Sequence, residues 1–205
     1  MQEKTMQLIV LFFSVLITEF IAEMGDKTQL MLVGLTSKYK IRDITIGTLV
    51  AILFLNALAV LAGGFLNQVL AKWLWVVKLV AAAAFIYFAI TSLLKTDDED
   101  EEAGESRISF APLAVFSTFF MAELGDKTQL TAVTFGATYG LAKALIVWAA
   151  CVVGFFAADI LGMLAGILLK KKAPERAMKI FSFVLFMVFG VMTAIEALKL
   201  SGMLG

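Results

Sequence analysis

The sequence predicts an all-α, polytopic membrane protein with six transmembrane helices arranged as a 3+3 inverted-topology repeat. Three observations lead to this prediction. The 205 residues are 61% hydrophobic, with a mean hydropathy of +0.93. The apolar runs are continuous and reach about 20 residues, the length of a helix that crosses a bilayer. A nine-residue motif occurs once in each half, as AEMGDKTQL from Ala22 and as AELGDKTQL from Ala122.

Six apolar runs define the predicted spans. Lipid requires every backbone polar group to be satisfied internally, and runs this continuous do not alternate as barrel strands do, so the spans are predicted as helices. The first and fourth are long for one straight crossing and carry the charged motif inside them. We therefore expect these helices to be broken or kinked, at Gly25 and Gly125. The spans cover residues 6–34, 44–66, 73–94, 110–136, 141–169 and 177–200.

An acidic segment divides the chain into two similar halves. We predict a first three-helix repeat at residues 1–95, an acidic linker at 96–109 and a second three-helix repeat at 110–205. Because each half has three spans, the second half enters the membrane from the opposite side. Secondary transporters with such inverted repeats bind their substrate near the midplane, where the halves meet.

Lysine and arginine residues predict the orientation. The loops after spans one, three and five carry ten of them, against five on the other side. The positive-inside rule then puts the acidic linker in the cytoplasm and both termini on the outer side.

The composition excludes several classes of function. The formal net charge is zero, so the chain lacks the basic surface that binds nucleic acid. It has one cysteine, Cys151, and no histidine, which excludes disulfides and typical zinc sites. No cofactor motif and no nucleophile–base set occurs, so neither an enzyme nor a bound cofactor is predicted.

The motif supplies oxygen ligands for a hard metal ion. Glu23 and Asp26 are three residues apart and so share a helix face, as do their counterparts in the second half. Four carboxylates less two lysines leave two negative charges, which one divalent cation would balance. Calcium, magnesium, manganese and sodium suit such ligands. The predicted metal ligands are Glu23, Asp26, Thr28, Gln29, Glu123, Asp126, Thr128 and Gln129.

Protons would compete with the metal for these carboxylates, which suggests cation/proton antiport. Further residues are predicted to couple protons or support the ligands. Glu19 lies one turn before Glu23, whereas the second half has a phenylalanine there. Asp159 corresponds to Asn56 of the first half. This supporting set comprises Glu19, Lys27, Lys127, Asn56 and Asp159.

The doubled motif, EMGDKT and ELGDKT, in a six-span chain with an acidic central loop resembles the GDT family of membrane cation transporters. The resemblance covers essentially the whole chain. It implies export of manganese, and in some members calcium, in exchange for protons. The short chain resembles the bacterial type, which implies the bacterial inner membrane. A homo-oligomer is compatible with this interpretation.

The predicted function is therefore export of Mn²⁺, with Ca²⁺ as a further candidate, by a secondary transporter that holds the ion between the two motifs. A Ca²⁺/H⁺ antiporter is the alternative of the same class. A divalent cation channel is an alternative of another class, and a scaffold with structural acids is a third. The sequence leaves the roles of Glu19 and Glu196 open.

Overall fold

The chain folds into helices throughout the part that the structure describes. In this computed structural model these are residues 2–69, 73–94, 108–169 and 175–203. The predicted all-helical class is confirmed for these residues, whereas most of the predicted linker, 96–107, lies outside them. The helices are α1 Gln2–Glu23, α2 Lys27–Leu35, α3 Ile41–Val69, α4 Leu74–Leu94, α5 Ala111–Glu123, α6 Lys127–Tyr139, α7 Ala144–Leu169 and α8 Glu175–Leu200.

Three of the described helical segments are long and apolar enough to cross a membrane. They are Gln2–Glu23, Ile41–Gln68 and Leu141–Leu168. Shorter apolar helices occur at Trp75–Thr91 and Ala111–Glu123. Large apolar side chains cover the outside of these helices, as expected where lipid rather than water surrounds the protein.

Helices of the first half pack mainly against helices of the second half. α1 and α2 contact α7, whereas α5 and α6 contact α3. The contact between α4 and α8 is the most extensive of all the helix pairs that the structure describes. If each helix is replaced by its counterpart in the other half, the α1–α7 and α2–α7 contacts become the α5–α3 and α6–α3 contacts, and the α4–α8 pair is unchanged. The buried core, which includes Ile52, Phe119 and Phe155, lies between the two halves.

Contacts between named residues give the directions of the helices. Lys78 in the second turn of α4 forms an ion pair with Glu196 near the end of α8, with 2.5 Å between Nζ and Oε2. Further along, Phe85 stacks on Phe186 with ring centroids 6.2 Å apart. Residue numbers rise along α4 while they fall along α8, so the two helices are antiparallel.

α1 and α2 run parallel to α7, and α5 and α6 run parallel to α3. Gly154 of α7 lies against Leu16 of α1, and Gly166 lies against Val33 of α2. α3 runs in the same direction as α5 and α6, because Gly47 lies against Val115 of α5 and Gly63 lies against Val133 of α6. These glycines let the helix backbones approach closely.

Gly63→Ala tests this close packing. A Cβ at residue 63 would lie 2.8 Å from the Ala137 backbone nitrogen, so α3 and α6 would have to separate. We expect a loss of about 1–3 kcal/mol in stability, as for other overpacked cores.

Thermal unfolding in detergent measures this effect, because the Cys151 thiol is buried and becomes accessible to a labelling reagent only when the chain unfolds. The unfolding midpoint should fall by about 2–4 °C for each kcal/mol of lost stability. Gly34→Ala in α2 is the matched control, because nothing lies within 4 Å of its Cβ position. It should be neutral or gain about 0.5–1 kcal/mol. Equal midpoints for the two variants would contradict close packing at Gly63.

Candidate metal site

Each copy of the motif interrupts a helix at the same position. α1 ends at Glu23 and α2 begins at Lys27, and the second half repeats this between α5 and α6. The intervening glycines, Gly25 and Gly125, have φ of 80° and 82°. Glycine adopts this left-handed conformation without steric cost, so the E-x-G-D-K sequence ends one helix and starts the next. Asp26, with extended φ and ψ of −77° and 160°, is the N-cap residue of α2.

The two interruptions bring carboxylates from both halves together. Glu23, Asp26 and Glu123 each offer an oxygen, and these oxygens lie within 4.8 Å of one another. Glu23 and Glu123 are fully buried, and Asp26 is 8% exposed. An ion with oxygen ligands at about 2.0–2.6 Å has opposite ligands about 4–5 Å apart, so one such ion fits between the three groups.

Threonine hydroxyls orient the two buried glutamates. Thr28 Oγ1 donates a hydrogen bond to Glu23 Oε1 at 3.0 Å. In the second half Thr128 Oγ1 donates to Glu123 Oε2 at 3.3 Å. Each hydroxyl oxygen keeps its lone pairs while it donates, so the same threonine can also act as a metal ligand.

Glutamine side chains close the interrupted turns. Gln29 Oε1 accepts from the Gly25 N–H at 3.1 Å, and Gln129 Oε1 accepts from the Gly125 N–H at 3.2 Å. Gln29 Nε2 also donates to the carbonyl oxygens of Glu23 and Ala158, each at 3.1 Å. The first interruption is thereby held against α7.

The two halves differ in how far their motifs are buried. Asp126 is half-buried and is not part of the group formed by Glu23, Asp26 and Glu123. Gln129 is half-buried and Gly125 is exposed, whereas Gln29 and Asp26 are buried. The structure therefore brings together three of the four predicted carboxylates.

The other predicted residues are distributed around this group. Asn56 is buried in α3 and donates from Nδ2 to Ile52 O at 3.1 Å within its own helix. Asp159 is fully buried in α7, next to the Ala158 carbonyl that binds Gln29, and Glu19 is fully buried in α1. Lys27 and Lys127 begin α2 and α6, but their side chains lie outside the described part of the structure.

The ion pair between Lys78 and Glu196 was not anticipated from the sequence, which left the role of Glu196 open. Each residue lies about one turn inside its helix, one at the start of α4 and the other at the end of α8. With the predicted orientation, both of these helix ends are on the outer side of the membrane. The only sequence signal for an ion pair between Lys78 and Glu196 is that both are predicted at the same depth in the membrane.

Gly125→Ala should weaken metal binding at this candidate site because alanine is strained at positive φ. A Cβ at residue 125 meets nothing within 4 Å, so the cost is conformational, about 1–2 kcal/mol. That strain would shift Glu123 and Asp126 relative to each other, and we expect the affinity for a divalent ion such as Mn²⁺, measured by calorimetric titration, to fall several-fold. Gly202→Ala is the matched control, with φ of 77°, equally open surroundings and a position outside the site. Equal affinities of the two variants would contradict a role for the Gly125 conformation.

Comparison with known proteins identifies similar sequences. A family model described as "Divalent cation/proton antiporter GDT1" matches residues 11–100 and 111–201. A protein of Vibrio cholerae named "Putative manganese exporter" is 33% identical over 187 residues, 86% of this chain and 86% of that protein. Protein PAM71, chloroplastic, of Arabidopsis thaliana is 28% identical over 212 residues, 90% of this chain.

GDT1-like protein 2, chloroplastic, of Oryza sativa subsp. japonica is 25% identical over 206 residues, 85% of this chain. The chain spans 56% and 58% of the lengths of PAM71 and the rice protein, respectively. No solved structure matches the chain.

Proposed function

This chain belongs to the GDT1 family of divalent cation/proton antiporters, and we propose that it exports Mn²⁺ from the cytoplasm in exchange for protons. The observation that carries this proposal is the meeting of Glu23, Asp26 and Glu123, which brings acids from both halves within reach of one ion. Intramembrane carboxylates are costly, so a buried group of three indicates a transport site rather than a structural feature.

The ligands favour a hard cation. The proposed ligand set is carboxylate, hydroxyl and amide oxygen from the two motifs, with Asp126 completing it in another conformation. Such oxygens suit Mn²⁺ and Ca²⁺ and lack the soft donors that hold zinc or copper. The similarity to a Vibrio cholerae protein named as a manganese exporter favours Mn²⁺ as the principal substrate. Ca²⁺/H⁺ antiport is the second candidate.

Helix ends add to the attraction for a cation. α1 and α5 both end at a motif glutamate, so the negative ends of two helix dipoles point toward the carboxylate group. Interrupted helices of transporters bind cations in the same manner, at C-terminal ends and freed carbonyls. Lys27 and Lys127 are proposed to balance the remaining charge.

The six-span inverted repeat is part of this proposal. It is supported by the antiparallel packing of α4 against α8, which are the third helices of the two predicted repeats. It is also supported by equivalent contacts in the two halves, because Gly166 lies against Val33 and Gly63 lies against Val133, with the glycines 103 residues apart and the valines 100. We place the protein in a bacterial inner membrane with both termini outside and the acidic linker in the cytoplasm.

Everted membrane vesicles from cells that express the chain test the proposal. An imposed gradient, acidic inside, should drive accumulation of Mn²⁺, and collapse of the gradient should release the ion. Glu23→Gln combined with Glu123→Gln should abolish uptake. Uptake that is indifferent to the gradient would favour a channel, and full uptake by the double variant would contradict the site. Accumulation of Ca²⁺ in preference to Mn²⁺ would favour the calcium antiporter.

A further inference from the structure

Glu19 is a buried carboxyl group that the metal site does not use. Its side chain is fully buried in α1, and neither carboxyl oxygen has a hydrogen-bond partner among the described residues. The group of carboxylates that can share one ion does not include it. We propose that Glu19 carries a proton in this conformation and is a dedicated proton site for the exchange, separate from the metal ligands. This inference rests on the proposed antiport.

Burial without a partner supports the neutral acid. An ionised carboxylate inside a membrane protein is costly unless it is paired or hydrogen-bonded. Gly154 of α7 provides the space for this side chain, because a Cβ there would lie 3.1 Å from the Glu19 Cβ. The acid is therefore enclosed between two closely packed helices.

The helices packed against α1 have few ionisable residues that could neutralise an ionised Glu19 carboxylate. The ionisable residues of α7 are the buried Cys151, one turn before Gly154, and the buried Asp159 further along the helix. The ionisable residues of α6 are Lys127 and Tyr139. Where α8 meets α1, around Phe186, residues 183–190 contain no ionisable side chain. No arginine or lysine of α7 lies in its described length from Ala144 to Leu169.

The position of Glu19 couples it to the metal. Glu19 and Glu23 are four residues apart in α1, so their Cβ atoms are about 5–6 Å apart on the same face of the helix. A divalent ion bound at Glu23 attracts a negative charge at this distance and so favours release of the proton from Glu19. We infer that the proton leaves to water on the cytoplasmic side when the ion binds and is regained from the outer side after the ion departs.

The second half lacks this group. Phe119 occupies the equivalent position and is fully buried against Phe155, with ring centroids 6.0 Å apart. The two motifs are nearly identical, yet only the first has an additional acid one turn away. The halves would therefore share the metal, whereas the first half alone would carry this proton.

Infrared difference spectroscopy on the purified chain in lipid nanodiscs tests the inference. Protonated, buried carboxylic acids should give a C=O stretch in metal-free protein, to which the metal-binding glutamates and Glu19 both contribute. The Glu19 contribution is the difference between the wild-type band and that of Glu19→Gln; it should disappear on addition of Mn²⁺, and Glu19→Asp should shift it. Glu3→Gln, at an exposed acid in the first turn of α1, is the control and should leave the band unchanged. The shift in Glu19→Asp also assigns the band if the glutamine variant does not fold.

Separate outcomes identify which idea fails. If the band of metal-free Glu19→Gln equals that of the metal-free wild-type chain, the proton assignment is wrong. If Mn²⁺ binds but leaves the Glu19 contribution to the band unchanged, coupling to Glu19 is wrong while the transport proposal stands. If the wild-type chain does not bind Mn²⁺ at all, the proposed function fails, and the coupled role of Glu19 fails with it.

Discussion

Glu123→Gln is expected to lower the affinity for Mn²⁺ at least about 100-fold and to abolish transport. Loss of a residue that merely supports a metal ligand typically costs 10–100-fold in affinity, so loss of a ligand itself should cost at least as much. Glu123 is the one member of the three-carboxylate group that comes from the second half. The Glu123→Gln variant therefore tests whether both halves contribute to the metal site or the first half binds the ion alone.

Metal-dependent stabilisation measures this effect. A ligand that binds only the folded state raises stability by about 2.7 kcal/mol when its concentration is 100 times the dissociation constant. The unfolding midpoint of the wild-type chain should rise accordingly at such Mn²⁺ concentrations, whereas Glu123→Gln should gain at most about 0.4 kcal/mol. Glu3→Gln should behave as wild type because its exposed side chain is remote from the site in α1. Equal stabilisation of the Glu123 variant would show that this residue does not bind the ion.

Asp26→Asn is expected to reduce Mn²⁺ affinity at least about tenfold more than Asp126→Asn, a difference of about 1.4 kcal/mol. The sequence treats these aspartates as equivalent, but the structure does not. Asp26 is buried and shares the three-carboxylate group, whereas Asp126 is half-buried and outside that group. Asp126 should matter for transport more than for binding, because we propose that it joins the site in another conformation.

Calorimetric titration with Mn²⁺ and uptake into proteoliposomes separate these two effects. Asp43→Asn is the matched control, since Asp43 lies in the first turn of α3 and outside the motifs. It should change neither affinity nor uptake. Equal losses of affinity at Asp26 and Asp126 would contradict the asymmetry, and full uptake by Asp126→Asn would remove it from the transport cycle.

The doubled motif is the sequence feature from which the candidate site is predicted. Glycine between a glutamate and an aspartate indicates a helix interruption, and two copies in an inverted repeat indicate a shared midplane site. In the structure, α1 and α5 end at the motif glutamates, Gly25 and Gly125 have positive φ, and carboxylate oxygens of Glu23 and Glu123 lie within 4.8 Å of each other. These features follow from local backbone preferences and from the repeat, which the sequence carries directly.

The asymmetry between the motifs could not be predicted because two nearly identical local sequences have different neighbours in the fold. Gln29 reaches the Ala158 carbonyl of α7, which fixes the first interruption within the core. The interruption at Gly125 is exposed instead. Likewise, the Lys78–Glu196 pair depends on two helices far apart in the chain that pack in antiparallel directions. Neither feature has a local pattern, since both depend on packing between distant segments.

The location of a bound ion tests the central claim most directly. Crystals of the chain grown with Mn²⁺ and measured at the manganese absorption edge would reveal the ion by its anomalous scattering. The account predicts one peak about 2.0–2.6 Å from carboxylate oxygens of Glu23, Asp26 and Glu123, with both halves contributing ligands. Separate peaks at the two motifs, or a peak bound by one half only, would contradict a single site shared between the repeats.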